Sequence, residues 1–284
     1  MAKTQRILSK NADYQRFEVL KTNRNKRYKY GTFLCEGVRS LKEARAKGWE
    51  FESLLYSFES PLSDWAKGML ADTKTECNYA LTDALMADLS GKEDTSELMA
   101  VIKMQKDDPA AILAGLSDNP VIALFDRPSN RGNLGTIIRS ADALGIEALV
   151  ITGHAVDLYD PEVVVSTMGS FFNLPVLRLS SNEDIHAFID ALRKKYPDMQ
   201  LLGTTAHTSN MIYDVDMTRP TMFFIGNETE GLNRHFREIC DVYVKIPMAE
   251  TSYASSFNVG CAATVMFYEA ARQRGGFPTA GSNG

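Results

Sequence analysis

The pattern of apolar and polar positions changes along the chain and is strongest beyond residue 120. There, continuous apolar runs, at residues 121–125 and 148–152 among others, alternate with longer segments whose apolar positions recur at helical spacing. An uninterrupted apolar run bounded by turn residues is typical of a strand that is buried on both faces. Strands that alternate with helices in this way predict a mostly parallel sheet covered by helices.

The second half of the chain therefore predicts a regular succession of strands and helices. Further strands are expected at residues 176–179, 201–204, 222–225 and 242–246. Helices are expected at residues 134–144, 163–172, 184–195, 234–239 and 257–273. Together these elements predict one α/β domain over residues 120–284, with a disordered tail from about residue 275.

The first hundred residues alternate in the same way, with shorter elements. Helices are expected at residues 13–21, 37–46 and 62–71, and strands at residues 32–35, 51–58, 79–81 and 98–103. This pattern predicts a small α/β domain over residues 1–104. Residues 105–119 contain Pro109 and a Ser-Asp-Asn turn signal, which predict a linker.

The composition excludes several classes of protein. The 284 residues are 44% hydrophobic and 24% charged, which is typical of a globular chain. No apolar run approaches the roughly 18–20 residues of a membrane helix, and the first ten residues lack the apolar core of a secretory signal. The four cysteines form no C-x-x-C pair, which argues against a zinc site and a disulfide scaffold. We therefore expect no bound metal, no membrane contact and a cytoplasmic protein.

Charge is distributed unevenly along the chain. The formal net charge is −5, yet the first 30 residues contain nine basic and two acidic side chains, a net charge of +7. Such asymmetry indicates a polyanionic partner, with contacts expected from Arg24, Lys26, Arg27 and Lys29. A solvated helix with one basic face would have the same composition, so charge alone leaves both interpretations open.

Chemistry is expected at the carboxyl ends of the parallel strands, where open α/β sheets bind their ligands. Residues 126–139 follow the first strand of the second half and lack both the G-x-G-x-x-G of a dinucleotide fingerprint and the G-K-[ST] of a phosphate-binding loop. They place Asn133 at the start of a helix and Arg139 six residues further on. The simpler interpretation of this segment alone is a capped helix that carries a surface arginine.

Two further loops are expected at the same edge of the sheet. Residues 226–232, G-N-E-T-E-G-L, place Glu228 in a tight turn whose glycines would let the backbone approach a ligand. Residues 246–248, I-P-M, precede residues 255–263, which begin the last helix with serines and place Asn258 in its first turn. Each segment alone is also consistent with an ordinary turn or a packed helix start.

Together the three segments resemble the three motifs of the SpoU (TrmH-type) RNA 2'-O-ribose methyltransferases, in the same order and within residues 120–272. The first motif, N-x-G-x-x-x-R, is matched by Asn133, Gly135 and Arg139. The second and third, G-N-E-x-x-G-L and I-P-M followed by S-L-N, are matched by Gly226, Asn227, Glu228, Gly231, Leu232, Ile246, Pro247, Met248, Ser256 and Asn258. Residues 32–39 resemble the ribosomal-protein-like substrate-binding domain of the family, which adds Arg39 to the expected RNA contacts.

The resemblance implies a C-terminal knotted α/β methyltransferase domain of the SPOUT superfamily and a small N-terminal α/β RNA-binding domain. It implies S-adenosylmethionine as the methyl donor and a homodimer that uses the last helix, with Gly260 and Ala263 allowing close approach. The cofactor is expected against the backbone of three loops, at Gly203, Thr204, Thr205, Ala206, Ile225, Gly226, Asn227, Gly231, Ile246, Met248, Phe257 and Asn258.

The resemblance also implies which residues act in the reaction. A ribose 2'-hydroxyl must be oriented and must lose its proton before it accepts a methyl group. The family assigns the activating role to Arg139, but an arginine is a poor base because its pKa exceeds about 12. We therefore expect Arg139 to hold the target phosphate and stabilise the developing alkoxide. Asn133, Glu228, Ser256 and Asn258 are expected to orient the site.

Some positions depart from the family pattern, and two other functions stay open. Asn130 and Arg131 stand where the family has Asp-Pro, and the loop between Met248 and Ser256 is longer than usual.

One alternative function is that of a non-catalytic RNA-binding protein, and the intact motif residues count against it. A nucleotide-dependent oxidoreductase is the other, and the missing fingerprint counts against it. The full N-terminal domain favours ribosomal RNA over tRNA as the substrate.

Overall fold

The structure is a computed structural model that describes residues 3–90, 94–205 and 208–276. The strands of the first half are β1 (Lys3–Ile7), β2 (Thr32–Glu36), β3 (Phe51–Ser57), β4 (Cys77–Leu81) and β5 (Leu98–Lys103). Its helices are α1 (Ala12–Thr22), α2 (Arg24–Tyr30), α3 (Val38–Ala46), α4 (Asp64–Asp72) and α5 (Asp83–Ser90). The predicted tail beyond residue 276 lies outside the described residues.

The second half continues the alternation of helices and strands. Its helices are α6 (Pro109–Gly115), α7 (Arg131–Ala143), α8 (Pro161–Ser166), α9 (Asn182–Lys195), α10 (Arg234–Ile239) and α11 (Val259–Gln273). Its strands are β6 (Val121–Asp126), β7 (Ala148–Thr152), β8 (Val176–Leu179), β9 (Gln200–Thr204), β10 (Thr221–Ile225) and β11 (Val242–Val244). Short 3-10 helices occur at Ser170–Phe172 and Ile212–Asp214.

The chain forms two compact units that do not follow a single cut in the sequence. The first unit comprises the described residues up to Lys106 together with Asp157–Asn173. The second comprises Asp107–Val156 and the described residues from Leu174 onward. A segment flanked on both sides by the second unit thus packs within the first. The functional domain boundaries at residues 104 and 120 stay a prediction.

The second unit is built on a six-stranded parallel sheet with strand order β11-β9-β10-β6-β7-β8. Strands β6, β7 and β10 are buried at every residue, as their continuous apolar runs predict. The strand order reverses beside β6 and β10, which are hydrogen-bonded neighbours. The predicted α/β fold with a mostly parallel sheet is confirmed, whereas the knot stays a prediction.

The first unit has a five-stranded mixed sheet with strand order β1-β4-β3-β5-β2. Strands β1, β4 and β3 run parallel, and β5 pairs in the antiparallel sense with both β3 and β2. Helix α1 packs Tyr14, Phe17 and Leu20 into a core with residues of β3, β4, β5 and α5. The prediction of a small α/β domain is therefore correct in architecture.

Three elements of the first unit were not predicted from the sequence. Strand β1 lies at the sheet edge and buries only Ile7, so it has no apolar run. Helix α2 contains no aliphatic residue, and its one buried side chain is Arg27. Helix α5 buries Leu85, Met86 and Leu89 at helical spacing, a signal that was present in the sequence.

The predicted helix at residues 163–172 is wrong as a single element. Helix α8 ends at Ser166, and Met168 and Gly169 then adopt φ values of 53° and 100°. A Cβ atom on Gly169 would lie 2.9 Å from Cγ of Glu43. The turn therefore also requires a residue without a side chain at this position. Two strongly positive φ values in succession end the helix, and a 3-10 turn replaces its second half.

The last helix also differs from its prediction. It begins at Val259 rather than at residue 257, because the Asn258 side chain caps it by accepting from the backbone N–H groups of Gly260 and Cys261. Gly260 and Ala263 are buried within the chain, and a Cβ on Gly260 would lie 3.0 Å from Cγ2 of Thr136 in α7. Gly260 therefore allows α11 to pack closely on α7, and the predicted use of these small residues in a homodimer stays a prediction.

Arg27 does not belong to an exposed basic surface, contrary to the sequence-based prediction. Its side chain is 2% exposed and forms an ion pair of 2.6 Å with Asp157, whose side chain is 4% exposed. The guanidinium also donates to the carbonyl oxygens of Leu20 and Lys21 at 2.8 and 3.0 Å, and it lies 3.4 Å from Asp160. Arg27 thus fixes the start of the segment that completes the first unit.

Replacement of Arg27 by Ala should lower the free energy of unfolding of the protein by about 3–5 kcal/mol, because Asp157 would stay buried without its partner. Urea denaturation measures this loss. The matched control is Arg45→Ala, which breaks the exposed ion pair with Asp72 and should cost at most about 1 kcal/mol. Equal losses in the two variants would show that the Arg27 pair is not buried in solution.

Candidate active site

The candidate site lies at the carboxyl ends of β6, β9, β10 and β11 in the second unit. Ligands of open α/β sheets bind outside the carboxyl ends of strands where the strand order reverses, which here is beside β6 and β10. The loop after β6 leads into α7, and the loop after β10 leads toward α10. The first two predicted motifs therefore face each other because their strands are neighbours.

Glu228 fastens the loop after β10 to the loop after β6. Its Oε2 accepts from the backbone N–H of Ser129 at 2.9 Å and from the Ser129 hydroxyl at 2.7 Å. Its Oε1 accepts from the backbone N–H of Asn130 at 3.1 Å and from Nδ2 of Asn133 at 3.3 Å. The carboxylate is thus held by four donors, all from the first motif segment.

The protonation state of Glu228 follows from these donors. Burial by itself would raise the pKa of Glu228, but the hydrogen bonds from Ser129 and Asn130 outweigh burial and hold the pKa below its usual value. The side chain is therefore ionised at neutral pH. A carboxylate with this pKa orients its neighbours and is a poor proton donor.

Asn133 extends these contacts to the third motif. Its Oδ1 accepts from Nδ2 of Asn258 at 3.1 Å, while Oδ1 of Asn258 caps α11 at 2.9 Å from the N–H of Gly260. We call the set Ser129, Asn130, Asn133, Glu228 and Asn258 the Glu228 network. It joins residues that are 95 and 125 positions apart in sequence. Asn133, Glu228 and Asn258 are thus brought together, and their catalytic roles stay predictions.

A second carboxylate, Asp126, lies beneath this arrangement at the end of β6 and is fully buried. It accepts from the hydroxyl of Thr152 at 3.0 Å and from the backbone N–H of Asn233 at 2.9 Å. It also pairs with Arg127, whose other guanidinium nitrogen reaches Glu230. Asp126 therefore ties the ends of β6 and β7 to the chain that follows β10.

The loop at residues 226–231 closes on itself. Asn227 and Gly231 exchange backbone hydrogen bonds of 3.0 Å, and Oδ1 of Asn227 accepts from the N–H groups of Thr229 and Glu230. A Cβ on Gly226 would lie 2.3 Å from the backbone N of Leu232, so no side chain fits there. The glycines of this motif are therefore needed to make the turn.

Two neighbouring cavities adjoin these loops. The larger, of about 850 Å³, is lined by residues of the loops after β9 and β10 and of α10, including Thr204, Thr205, Gly231 and Tyr243. The smaller, of about 180 Å³, is lined by Thr204, Thr205, Val244, Lys245, Ile246, Met248, Ser255, Ser256, Phe257 and Ala262. Of the predicted cofactor residues, Thr204, Thr205 and Gly231 line the larger cavity, and Thr204, Thr205, Ile246, Met248 and Phe257 line the smaller.

Gly203 and Ile225 are buried at the ends of β9 and β10, and Ala206 lies outside the described residues. A Cβ on Gly203 would lie 2.8 Å from Cε1 of Tyr243 and 3.0 Å from Sγ of Cys240. Burial raises the pKa of the Cys240 thiol to about 12, so the thiol is protonated at neutral pH. Cys240 is therefore a packing residue and not a nucleophile of the site.

Arg139 is not part of the Glu228 network. Six residues along a helix correspond to about 9 Å of rise and to a different side of the helix from Asn133. The Arg139 side chain is exposed and forms no ion pair or hydrogen bond with the described part of the chain. Its predicted role in the reaction stays a prediction.

The predicted RNA contacts lie in the first unit. Arg24, Lys29 and Arg39 are exposed, and Lys26 is half-buried. The Arg24 guanidinium lies 5.5 Å from the ring centre of Tyr28, which is a cation–π arrangement. Arg27 is excluded from the set by its burial.

Ser129 and Asp126 are functional candidates that sequence reasoning missed. Both belong to the loop whose first motif was recognised, but neither is a motif position. A serine three residues after a buried strand has no distinctive spacing, and its partner Glu228 is 99 positions away. The position of Asp126 at the carboxyl end of a predicted buried strand was the one available signal.

Two observations limit other kinds of site. Within residues 3–90, 94–205 and 208–276, no helix is long and apolar enough to cross a membrane. The same residues contain no group of three or more His, Cys, Asp or Glu side chains placed to hold a metal ion.

Comparison with known proteins assigns the family. The chain matches the family model of the SpoU rRNA Methylase family over residues 120–268 and that of the SpoU L30e-like domain over residues 11–100. The chain therefore belongs to the SpoU rRNA methylase family. The family resemblance inferred from the three motifs and from the N-terminal domain is confirmed.

Named relatives and solved structures span nearly the whole chain. The 23S rRNA (uridine(2479)-2'-O)-methyltransferase of Streptomyces viridochromogenes is 43% identical, over 95% of this chain and 92% of the relative. The 23S rRNA (guanosine(2553)-2'-O)-methyltransferase RlmP of Bacillus subtilis is 26% identical, over 92% and 96%. The crystal structure of the SpoU methyltransferase AviRb from S. viridochromogenes in complex with AdoMet has a TM-score of 0.87 and 42% identity, covering 93% of this chain and 98% of that chain.

The low pKa of Glu228 makes its contribution to stability depend on pH. The folded pKa lies below the unfolded value of 4.5, so the contribution is present above pH 4.5 and is lost as the pH falls through the folded pKa. The difference in unfolding free energy between the wild type and Glu228→Gln should therefore be largest near neutral pH and shrink in acid. Urea denaturation at several pH values measures it. A difference that does not change with pH would contradict the assignment.

Proposed function

We propose that this protein transfers a methyl group from S-adenosylmethionine to a ribose 2'-hydroxyl of 23S ribosomal RNA. The observation that carries the proposal is the Glu228 network, which joins all three methyltransferase motifs beside the cavities at the strand ends. The names of the relatives support the reaction and the RNA class, since those quoted above act on 23S rRNA. The 43% identical relative acts on a uridine, so we propose a uridine target.

The chain offers a fitting place for the cofactor. The two cavities share Thr204 and Thr205, and the smaller adds Ile246, Met248 and Phe257 as apolar lining. Gly226 permits the closed turn beside them, since a Cβ there would collide with backbone. Recognition through backbone groups and apolar side chains explains why the sequence has no charged cofactor signature. When bound, S-adenosylmethionine supplies an electrophilic methyl group carried on a sulfonium.

Arg139 is the residue we propose to act on the RNA. Its exposed guanidinium has five donors in a planar fork that matches a phosphate. Bound to the phosphate next to the target ribose, it would stabilise the negative charge that develops on the 2'-oxygen. Asn133 and Asn258, oriented by Glu228, form the polar edge of the site, and Ser256 lines the smaller cavity.

The partners and location follow from the same proposal. The exposed basic residues of the first unit would bind RNA phosphates, and work on ribosomal RNA places the protein in the cytoplasm. We also propose a homodimer that uses the outer face of α11, where Val265 and Tyr268 are 37% and 50% exposed beside Cys261. Sedimentation at micromolar concentration tests the dimer, which a monomer would contradict.

The function is tested by incubation of the protein with labelled S-adenosylmethionine and unmodified 23S rRNA. We expect label in the RNA, at a 2'-O-methyluridine located by mass spectrometry. Binding of the cofactor without transfer to RNA would instead favour a non-catalytic RNA-binding protein. If a strain without the gene for this protein kept every 2'-O-methyl group of its 23S rRNA, that result would also contradict the proposal.

Arg139→Ala should lower the single-turnover rate of methyl transfer by about a hundredfold or more, the scale of losing one donor to a developing oxyanion. Cofactor affinity should not change, because the loss is confined to the transition state. Arg139→Lys should recover only part of the rate, since an ammonium lacks the planar fork. Calorimetric titration of the cofactor is the control. Near-wild-type turnover in Arg139→Ala would remove the residue from the reaction.

Replacement of Arg24, Lys26 and Lys29 by Ala should weaken RNA binding and reduce the slope of log affinity against log salt by about two units. Each lost phosphate contact no longer releases its counterion, which is the cause of the smaller slope. The matched control replaces Lys47, Lys67 and Lys74, three exposed lysines of the same unit. If both triple variants had the same slope, the charge of α2 would act only as a solvated face.

A further inference from the structure

We propose that Ser129 is a positioning residue for methyl transfer, which acts through Glu228 on the side-chain orientation of Asn133 and Asn258. Ser129 is not a motif position of the family resemblance and does not line either cavity. The inference rests on the proposed function, since the side chains that it orients are those assigned to the site. It adds a residue whose contribution to the rate has to pass through two other side chains.

Ser129 supplies half of the donors that hold Glu228. Its backbone N–H and its hydroxyl both donate to Oε2, at 2.9 and 2.7 Å. Oε2 is thereby occupied, and Oε1 is turned toward the N–H of Asn130 and Nδ2 of Asn133. Hydrogen bonds to an ionised acceptor are about twice as strong as neutral ones, so the hydroxyl fixes the rotation of the carboxylate.

The orientation of Glu228 determines the orientation of two amides. Because a side-chain amide donates from one end and accepts at the other, Asn133 can give Nδ2 to Glu228 only with Oδ1 directed at Asn258. Asn258 then gives Nδ2 to Asn133 and keeps Oδ1 for the N–H groups at the start of α11. A flip of either amide would place two donors or two acceptors face to face. The direction of each hydrogen bond is therefore set from Glu228 outward.

The chain contains a matched control for this arrangement. Ser117 donates its backbone N–H and its hydroxyl to the two carboxylate oxygens of Glu147, both at 2.7 Å. This pair has the same chemistry and is also exposed, but Ser117 precedes β6 and Glu147 precedes β7. It therefore lies at the amino ends of the strands, away from the site. Loss of either hydroxyl should have a similar effect on stability.

The test compares Ser129→Ala, Ser129→Thr and Ser117→Ala in the full chain. With S-adenosylmethionine and an RNA fragment saturating, Ser129→Ala should lower the single-turnover rate by about tenfold, the effect of one lost hydrogen bond to a charged group. Ser129→Thr keeps the hydroxyl and should recover most of the rate. Ser117→Ala should keep the wild-type rate while its Tm falls as much as that of Ser129→Ala. The dissociation constant of the cofactor should change by less than about twofold.

A second measurement does not depend on activity. In Ser129→Ala, the side-chain amide NMR signals of Asn133 and Asn258 should shift, and in Ser117→Ala they should not.

A third measurement is the dependence of the methyl-transfer rate on pH. The acidic limb of this profile should move to higher pH in Ser129→Ala, because the hydroxyl is one of the groups that lower the pKa of Glu228.

The outcomes separate this inference from the proposed function. If the wild type transfers no methyl group to RNA, the proposed function fails and the inference fails with it, whereas the amide signals still show whether Ser129 orients Asn133 and Asn258. If the wild type is active and Ser129→Ala matches Ser117→Ala in rate, or if the two amide signals stay unchanged, Ser129 is not a positioning residue. Failure of Ser129→Thr to recover the rate would also overturn the inference, because the hydroxyl is what the proposal requires.

Discussion

The half-buried carboxylate of Glu228 lies at the edge of this parallel sheet and accepts its hydrogen bonds from one loop. Glu228 sits on the loop after β10 and takes all four of its donors from the segment after β6. Because separation of the loops would leave a half-buried carboxylate without these donors, the hydrogen bonds hold the two loops together. Asp126 at the end of β6 is fully buried and has a similar effect. It accepts hydrogen bonds from Thr152 at the end of β7 and from Asn233 after β10. The loops at the site are thus held together by the hydrogen bonds of two acidic side chains.

This arrangement suits a catalyst whose cofactor is recognised largely by backbone. The loops that would hold the cofactor carry little charge of their own, so their shape has to be fixed by their neighbours. Gly226 and Asn227 close one loop, and Asn258 begins the helix that follows another. Arg139 is exposed and outside the network, which is consistent with the role proposed for it at an RNA phosphate. Oriented polar groups and an accessible cation would suit charge stabilisation at a ribose oxygen.

The sequence predicted the second unit well because its strands are buried on both faces and leave a continuous apolar signal. It failed where the fold depends on polar contacts between distant residues. The burial of Arg27 could not be read from a basic segment, because its partner Asp157 is 130 positions away. The break after α8 depends on the backbone at Met168, a residue with no preference for a positive φ. Gly260 was expected at a contact between subunits, whereas its neighbour Thr136 in the structure belongs to the same chain.

The three motifs could be found without the structure, but their connection could not. Each contributes a residue type that is ordinary by itself, and only the hydrogen bonds show that Asn133 stands between Glu228 and Asn258. Ser129 remained hidden because a serine in a polar loop has no periodicity or spacing to reveal it. Detection of such residues from one sequence would require knowing the strand order, which decides the loops that meet.

The central claim is that Glu228 and Asn258 act as one unit through Asn133. A double-mutant cycle on the single-turnover rate of methyl transfer, with Glu228→Gln, Asn258→Ala and the combined variant, tests it most directly. The account predicts strong coupling, with the double variant about as slow as the slower single variant, because either change already disrupts the same network. Rate losses that simply multiply in the double variant would contradict it.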